Sequence, residues 1–445
     1  MTDLPRKAAA RTARLAALPL GYAGRQAIGL GRRLGGAPAD AVLIDVQQRT
    51  AEQLFRTLGE LKGGAMKFGQ ALSVLEAALP DNVVAPYREH LTALQDSAPP
   101  MPTQTVREQL ARSLGDDWNE RITWLDGAPS AAASIGQVHR ARWRDGRDVA
   151  VKVQYPGAGD ALMSDLRQLA RVARGLAPAF PGIDIKPLIE EIQARAADEL
   201  DYRLEAEAQS AYAEAFLDDP EVVVPGVVAV GEQVLVTEWL ESPHSFAHLI
   251  RHGTQAERDH YGRIFVTFLF DGPTRTGMLH ADPHPGNFRV LPNADGTPGR
   301  VGVLDFGAVA RLAERGLPSA MGRLIRIALD NGAEELVEGL RAEGFIKERI
   351  QVEPEQVLDY LAPFLEPARE ETFRFTREWM RGQFERINNP RSRSFNLATK
   401  LNLPTSYLLI HRTWLGGLGV LSQLDCEVPF RSIMEQHLPG FALPE

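Results

Sequence analysis

The stretch LHADPHPGNF at 279–288, followed by VGVLDFG at 301–307, decides the reading of this chain. The first carries His280, Asp282 and Asn287 in the spacing H-x-D-x-x-x-x-N. In that pattern the Asp handles the attacking group and the Asn, five residues on, is placed to ligate a metal ion. The second places Asp305 after a short apolar run, Val301, Val303 and Leu304, that reads as a strand reaching the mouth of a cleft. A carboxylate there suits Mg²⁺ held against the β- and γ-phosphates of a nucleotide. Neither pattern is specific alone, since any Asp-Phe-Gly turn matches the second. In this order, with Asn287 and Asp305 18 positions apart, they outline a magnesium-ATP site.

Upstream, DVAVKVQYPG at 148–157 alternates Val149, Val151 and Val153 around Lys152, the period-two pattern of a half-buried strand carrying one ammonium group. A lysine so placed can grip α- and β-phosphates. Only seven of the 49 basic residues are Lys, so Lys152 marks a position where a compact point charge is wanted in place of a planar fork. Before that strand, PSAAASIGQVHRA at 129–141 puts Ala131, Ala132, Ala133 and Ser134 where a phosphate-cradling loop would be glycine-rich, with Gly136 its only glycine. The methyl groups predict a stiffer loop that holds the phosphates differently.

Residues 187–216 are rich in Ala and Glu and lack internal Gly or Pro, which predicts one long helix. On it Asp201 and Glu205 would share a face at i,i+4, a small like-charge cost that makes sense if cations face them. Lys67 and Lys152 are the candidates.

The set KFGQ (67–70), AAASIGQVH (131–139), VAVKVQYPG (149–157), ELDYRLEAEA (199–208), HADPHPGNF (280–288) and LDFG (304–307) closely resembles the UbiB-like atypical kinases, a family tied to quinone lipid biosynthesis. The resemblance runs from about residue 40 to 430. It implies an α+β, bilobal protein-kinase-like fold with an N-terminal helical extension packed over the active site. It also implies ATP and Mg²⁺ as cofactors, and ATP hydrolysis or phosphorylation of something small in place of protein phosphorylation. Carried over, Lys152 is the phosphate-gripping lysine and Glu205 its ion-pair partner. Glu199 and Asp201 form an E-x-D pair, and Lys67 and Gln70 belong to K-x-G-Q. Lys67 is expected to meet Glu199 and Asp201 in the cleft. Asp282 is the catalytic carboxylate, Asn287 and Asp305 are metal ligands, and the backbone of Glu238 and Leu240 is the expected hinge contact to adenine. Ala208 stands where the family often has Asn.

The remaining sequence fits an enzyme of this size. At 445 residues with 44% apolar content, the chain can bury more than one core. The single cysteine, Cys426, excludes an internal disulfide and a Cys-cluster metal site, and makes a reducing, cytoplasmic compartment the default. His280 and His284 are i,i+4, but Pro283 and Pro285 argue against a helix presenting both to zinc, so His280 is read as orienting the catalytic loop. The net charge of −9 hides a basic leader through residue 36 in which Leu and Ile alternate with Arg and Lys, a mixture suited to an anionic membrane surface or to a disordered leader. No run has the length of a spanning helix, there is no secretory pattern, and the apolar tail at 405–424, interrupted by His411 and Arg412, is expected to pack as core.

The expected organisation is a leader (1–40), a helical extension with KFGQ (41–102), a nucleotide-binding lobe (103–240) and a mostly helical lobe with the catalytic loop (241–445). The expected partners are a nucleotide, a prenyl-quinone or phenolic lipid intermediate and an anionic membrane surface. Nucleic acid is not among them, and a homodimer is left open. The function expected is a Mg-dependent atypical kinase or ATPase. The alternatives are a nucleotide- and lipid-binding pseudokinase scaffold and a true protein kinase.

Overall fold

The alternation around Lys152 becomes a central strand. The computed structural model describes residues 100–133, 135–160, 162–164, 166–167, 184–388, 397 and 400–442. The leader, nearly all of the helical extension with Lys67 and Gln70, and Ser134 lie outside the described residues. After α1 (Thr103–Leu114) come strands β1 (Ile122–Leu125), β2 (Ala131–Ala133), β3 (Gly136–Trp143) and β4 (Asp148–Gln154). Helices α2 (Ile185–Asp198) and α3 (Tyr202–Ala215) follow, then β5 (Val222–Val223), β6 (Val227–Val230) and β7 (Val234–Glu238). The first sheet runs β1-β3-β4-β7-β6, with β2 paired to β3 and every pairing antiparallel.

Period two decides which side chains face what. Val149, Val151 and Val153 of β4 and Val234 and Val236 of β7 are fully buried, in one cluster with Val106, Leu110 and Leu114 of α1. Burying each such valine contributes about 1.5–3 kcal/mol. On the opposite face, Tyr202 and Ala206 of α3 close over Ile135 and Leu235. Lys152 lies on that face, so the helix that covers it can also supply its partner.

The long helix expected over 187–216 is two helices. α2 ends at Asp198, and α3 begins at Tyr202 behind Asp201, whose backbone is extended (φ −97°, ψ 98°) and whose carboxylate accepts the Arg203 N–H at 2.9 Å. An Asp can satisfy an orphan N–H at a helix start, worth about 1 kcal/mol, and here that outweighs continuation through residues of good helix propensity. Asp201 therefore caps α3, and the expected shared face of Asp201 and Glu205 does not form. A second difference is local: Ala131–Ala133 is not a loop but the strand β2, in register Ala131↔Val138, Ala132↔Gln137 and Ala133↔Gly136. Gly136 is required there, because a Cβ would sit 2.2 Å from the Val153 carbonyl oxygen.

The second lobe is built on β8 (His244–Ser245), α4 (Phe246–His252), α5 (Gln255–Thr276), β9 (Met278–His280), β10 (Phe288–Leu291), β11 (Arg300–Val303), β12 (Val309–Arg311), α6 (Ser319–Leu329), α7 (Leu408–Leu424) and α8 (Phe430–His437). Thr254 and Glu257 form a reciprocal capping box at the start of α5, and Gly277, left-handed at φ 72°, ends it. The strands order as β5-β11-β10-β8, with β9 paired to β12. α5 places Phe265 and Phe268 in the main core with Phe288, Val301 and Val303. The apolar tail packs there as expected, α7 burying Ile410, Leu418, Val420, Leu421 and Leu424.

Candidate active site

β4, α3 and the segment after β11 bring three ionisable groups together. Lys152 Nζ donates to Glu205 Oε1 at 2.7 Å and Oε2 at 2.9 Å, and to Asp305 Oδ2 at 3.4 Å. The Lys152 and Glu205 side chains are only 15% and 3% exposed, whereas Asp305 keeps 32%. Burial works against a charge on Lys152, but Asp305 and Glu205 together outweigh it and raise its pKa above the usual lysine value. The Tyr202 ring lies 5.2 Å below the ammonium. Gly307 fits beside these carboxylates because an added Cβ would stand 3.1 Å from Asp305 Oδ1 and 3.3 Å from Glu205 Oε2; its N–H donates to Asp305 Oδ1 at 2.9 Å.

The loop from His280 to Asn287 is held from both ends. Asn287 Nδ2 donates to the Asp282 carbonyl at 3.1 Å and to Asp282 Oδ2 at 3.0 Å, which turns its own amide oxygen away as a spare acceptor. The Leu304 N–H donates to the Asn287 carbonyl, so the loop and the strand before Asp305 are tied together. His280, read as the orienting residue, does this through its ring: Nε2–H donates to the Asp305 carbonyl at 2.6 Å. Burial lowers the His280 pKa, partly offset by Asp282, and the neutral tautomer with Nε2–H follows. Its ring meets Phe306 edge-on at 5.3 Å, and Phe306 meets Tyr212 of α3 at 4.9 Å. Tyr212 in turn donates its hydroxyl to the Met278 carbonyl at 2.6 Å. The helix carrying Glu205 is thus keyed to the segment carrying Asp305 by packed rings as well as by the ion pair.

Arg412 of α7 was not read as a site residue. Its Nη2 donates to Asp282 Oδ1 at 2.7 Å, so both carboxylate oxygens of Asp282 are engaged. The only signal in the sequence was a cation interrupting an apolar tail.

The donor set suits a nucleotide-bound cation better than a protein cage. Among the described residues no group of three or more His, Cys, Asp or Glu could hold a metal ion. One carboxylate, Asp305, and one amide oxygen, that of Asn287, fit Mg²⁺ whose remaining ligands are phosphate oxygens and water.

Residues 93–337 match the ABC1 atypical kinase-like domain. The chain belongs to this family. It is 30% identical over 327 residues to the mitochondrial atypical kinase coq-8 of Caenorhabditis elegans, covering 72% of this chain and 42% of that protein. It is 30% identical over 310 residues to the chloroplastic ACTIVITY OF BC1 COMPLEX KINASE 1 of Arabidopsis thaliana, covering 68% and 44%. The matched stretch therefore spans less than half the length of these curated relatives. Among solved structures, Rv3197 of Mycobacterium tuberculosis, in complex with erythromycin, is 41% identical with a TM-score of 0.67, covering 92% of this chain and 100% of that one.

As an ABC1-family domain of the UbiB-like type, the chain has the α+β protein-kinase-like fold expected from its motifs. Within it Ala131, Ala132 and Ala133 form the outer strand of a hairpin beside Lys152, with Ala131 and Ala132 exposed. Glu238 ends β7, its side chain turned outward to Arg147 and the Gly226 N–H and its own N–H donating to the Gly226 carbonyl, which leaves the backbone carbonyl as its group for a hinge contact. Leu240, just beyond, lies over Gly302 of β11. Glu199 ends α2 and Asp201 caps α3; their expected partner Lys67 lies outside the described residues. Among the described residues no helix is long and apolar enough to cross a membrane.

Proposed function

We propose that this chain binds Mg-ATP between the two lobes and transfers or hydrolyses its γ-phosphoryl group, in support of prenyl-quinone or other lipid metabolism at an anionic membrane surface. The observation that carries the reading is the assembled set Lys152, Glu205 and Asp305, keyed to Asp282 and Asn287. Lys152 would hold α- and β-phosphate oxygens, Asn287 and Asp305 the Mg²⁺, which neutralises developing phosphate charge when bound. Asp282 would orient the acceptor hydroxyl or water and take its proton as the bond to phosphorus forms and the bridging bond to ADP breaks. Arg412, donating to Asp282 Oδ1, holds that carboxylate in place.

A nucleotide-binding scaffold is the second reading, and the engagement of both Asp282 oxygens favours it, since neither is left bare for an acceptor. Phosphate release by the purified full chain with Mg-ATP, with and without anionic liposomes and a phenolic quinone precursor, separates the two. Release that rises with liposomes or phenol and vanishes in Asp282→Asn supports the enzyme. Mg-ATP binding with no release under any condition supports the scaffold. An erythromycin arm asks whether the ligand of Rv3197 also stabilises this chain.

A further inference from the structure

Arg289 lies between Asn287, a metal ligand in the function proposed above, and Leu240, the residue just beyond β7. On β10, Phe288 and Val290 point into the core while Arg289 and Leu291 point to the other face. Arg289 pairs with Gly302 of β11, two residues from Asn287 on one strand and three from Asp305 on the other. An added Cβ on Gly302 would meet Leu240 Cδ2, Arg289 Cβ at 3.3 Å and Leu291 Cδ1 at 3.5 Å, so these side chains share one surface beneath the hinge. At about 3.3 Å per residue, Arg289 stands some 7 Å from Asn287, toward the hinge and away from the phosphates. Among the described residues its guanidinium makes no hydrogen bond, ion pair or ring contact, although the side chain is half-buried. A guanidinium withdrawn from water without a partner is costly, which points to a ligand as its missing neighbour.

We propose that the Arg289 guanidinium is the floor of the base subsite, stacking flat on the nucleobase of the bound nucleotide. This rests on the nucleotide reading above and names the recognition element for the base. A planar cation suits a π-face, and because every base has one, a stacking floor favours tight binding with weak discrimination among bases. A phosphate contact by the same residue would require the side chain to turn back toward Asn287, where Lys152 and the metal ligands already serve.

Calorimetric titration of the full chain with adenosine and with ADP tests this, using wild type, Arg289→Ala and Arg289→Lys. Stacking predicts that Arg289→Ala weakens adenosine and ADP by the same factor, on the order of tenfold, and that Arg289→Lys weakens both as well, because it keeps the charge but loses the plane. A loss confined to ADP, or full affinity in Arg289→Lys, would overturn the stacking role in favour of a simple charge contact. Should the alanine variant unfold, the lysine variant decides alone. A wild-type chain that binds neither ligand removes the nucleotide reading itself, whereas wild-type binding with unchanged variants removes only this inference.

Discussion

Removing Glu205 should cost stability before any nucleotide is added. Its carboxylate is 3% exposed and takes two donations from Lys152 at 2.7 and 2.9 Å, while the third member, Asp305, is farther away at 3.4 Å and partly hydrated. Breaking a buried pair by deleting one partner costs about 3–5 kcal/mol, because the other charge stays buried. Asp305 still compensates Lys152 in part, so Glu205→Leu is placed at the lower end, about 3 kcal/mol, or a fall in Tm of roughly 6–10 °C. Lys152→Met should cost a similar amount, since it leaves Glu205 buried beside Asp305. The double variant removes both buried charges and fills their space with carbon, so its loss should be smaller than the sum of the singles by about 2 kcal/mol. Nucleotide-free thermal and urea unfolding of the four proteins reads this directly. Additive losses would refute the claim that Lys152 and Glu205 form a coupled buried pair.

Arg412→Ala should leave Mg-ATP affinity within about twofold and lower turnover, because the Asp282 carboxylate loses the donor that holds its Oδ1 in place; unchanged turnover would make Arg412 a surface contact only. Asp282→Asn should retain nucleotide binding and lose turnover by about 10²–10⁴-fold, and equal turnover would remove Asp282 from the chemistry. Asp201→Ala should lower stability by about 1 kcal/mol through loss of the α3 cap, measured by urea unfolding, with no loss if the split between α2 and α3 were wrong. His248, its ring stacked on His244 at 3.9 Å and tilted against His252 at 4.7 Å, resists protonation below the usual histidine pKa of 6.5: its pKa is lowered by partial desolvation, then by His244, His252 and Arg251, against Glu257. The unfolded chain then takes up protons first, so this stretch contributes fully above pH 6.5 and loses stability as pH falls below it; in an NMR titration His244→Ala should bring His248 back toward 6.5, and an unchanged value would contradict the coupling.

The parts of the site that sequence made legible are those fixed over a few residues. Alternation around Lys152 chose its face of the sheet, and the spacing of Asp282, Asn287 and Asp305 put three polar groups on adjoining strand ends. What could not be read depended on competition or on distance. Asp201 is as compatible with a helix interior as with a cap until tertiary packing turns Glu205 toward Lys152, and no Gly or Pro marks the break. Three alanines carry a helical preference that pairing with β3 overrides. Arg412 meets Asp282 across 130 residues, a contact that belongs to the way α7 packs and to no local pattern. Arg289 is likewise an ordinary strand arginine until Gly302 and Leu240 show which way it faces.

In the function proposed above, Asn287 and Asp305 hold a magnesium-bound nucleotide whose phosphates reach Lys152. Titration of the full chain with ATP, with and without Mg²⁺, in wild type and Asp305→Asn tests it most directly. The predicted result is Mg-dependent binding by the wild type that is lost in the variant, with both proteins equally folded by circular dichroism. Equal Mg-dependent affinity in the two proteins, or no ATP binding by the wild type, would contradict it.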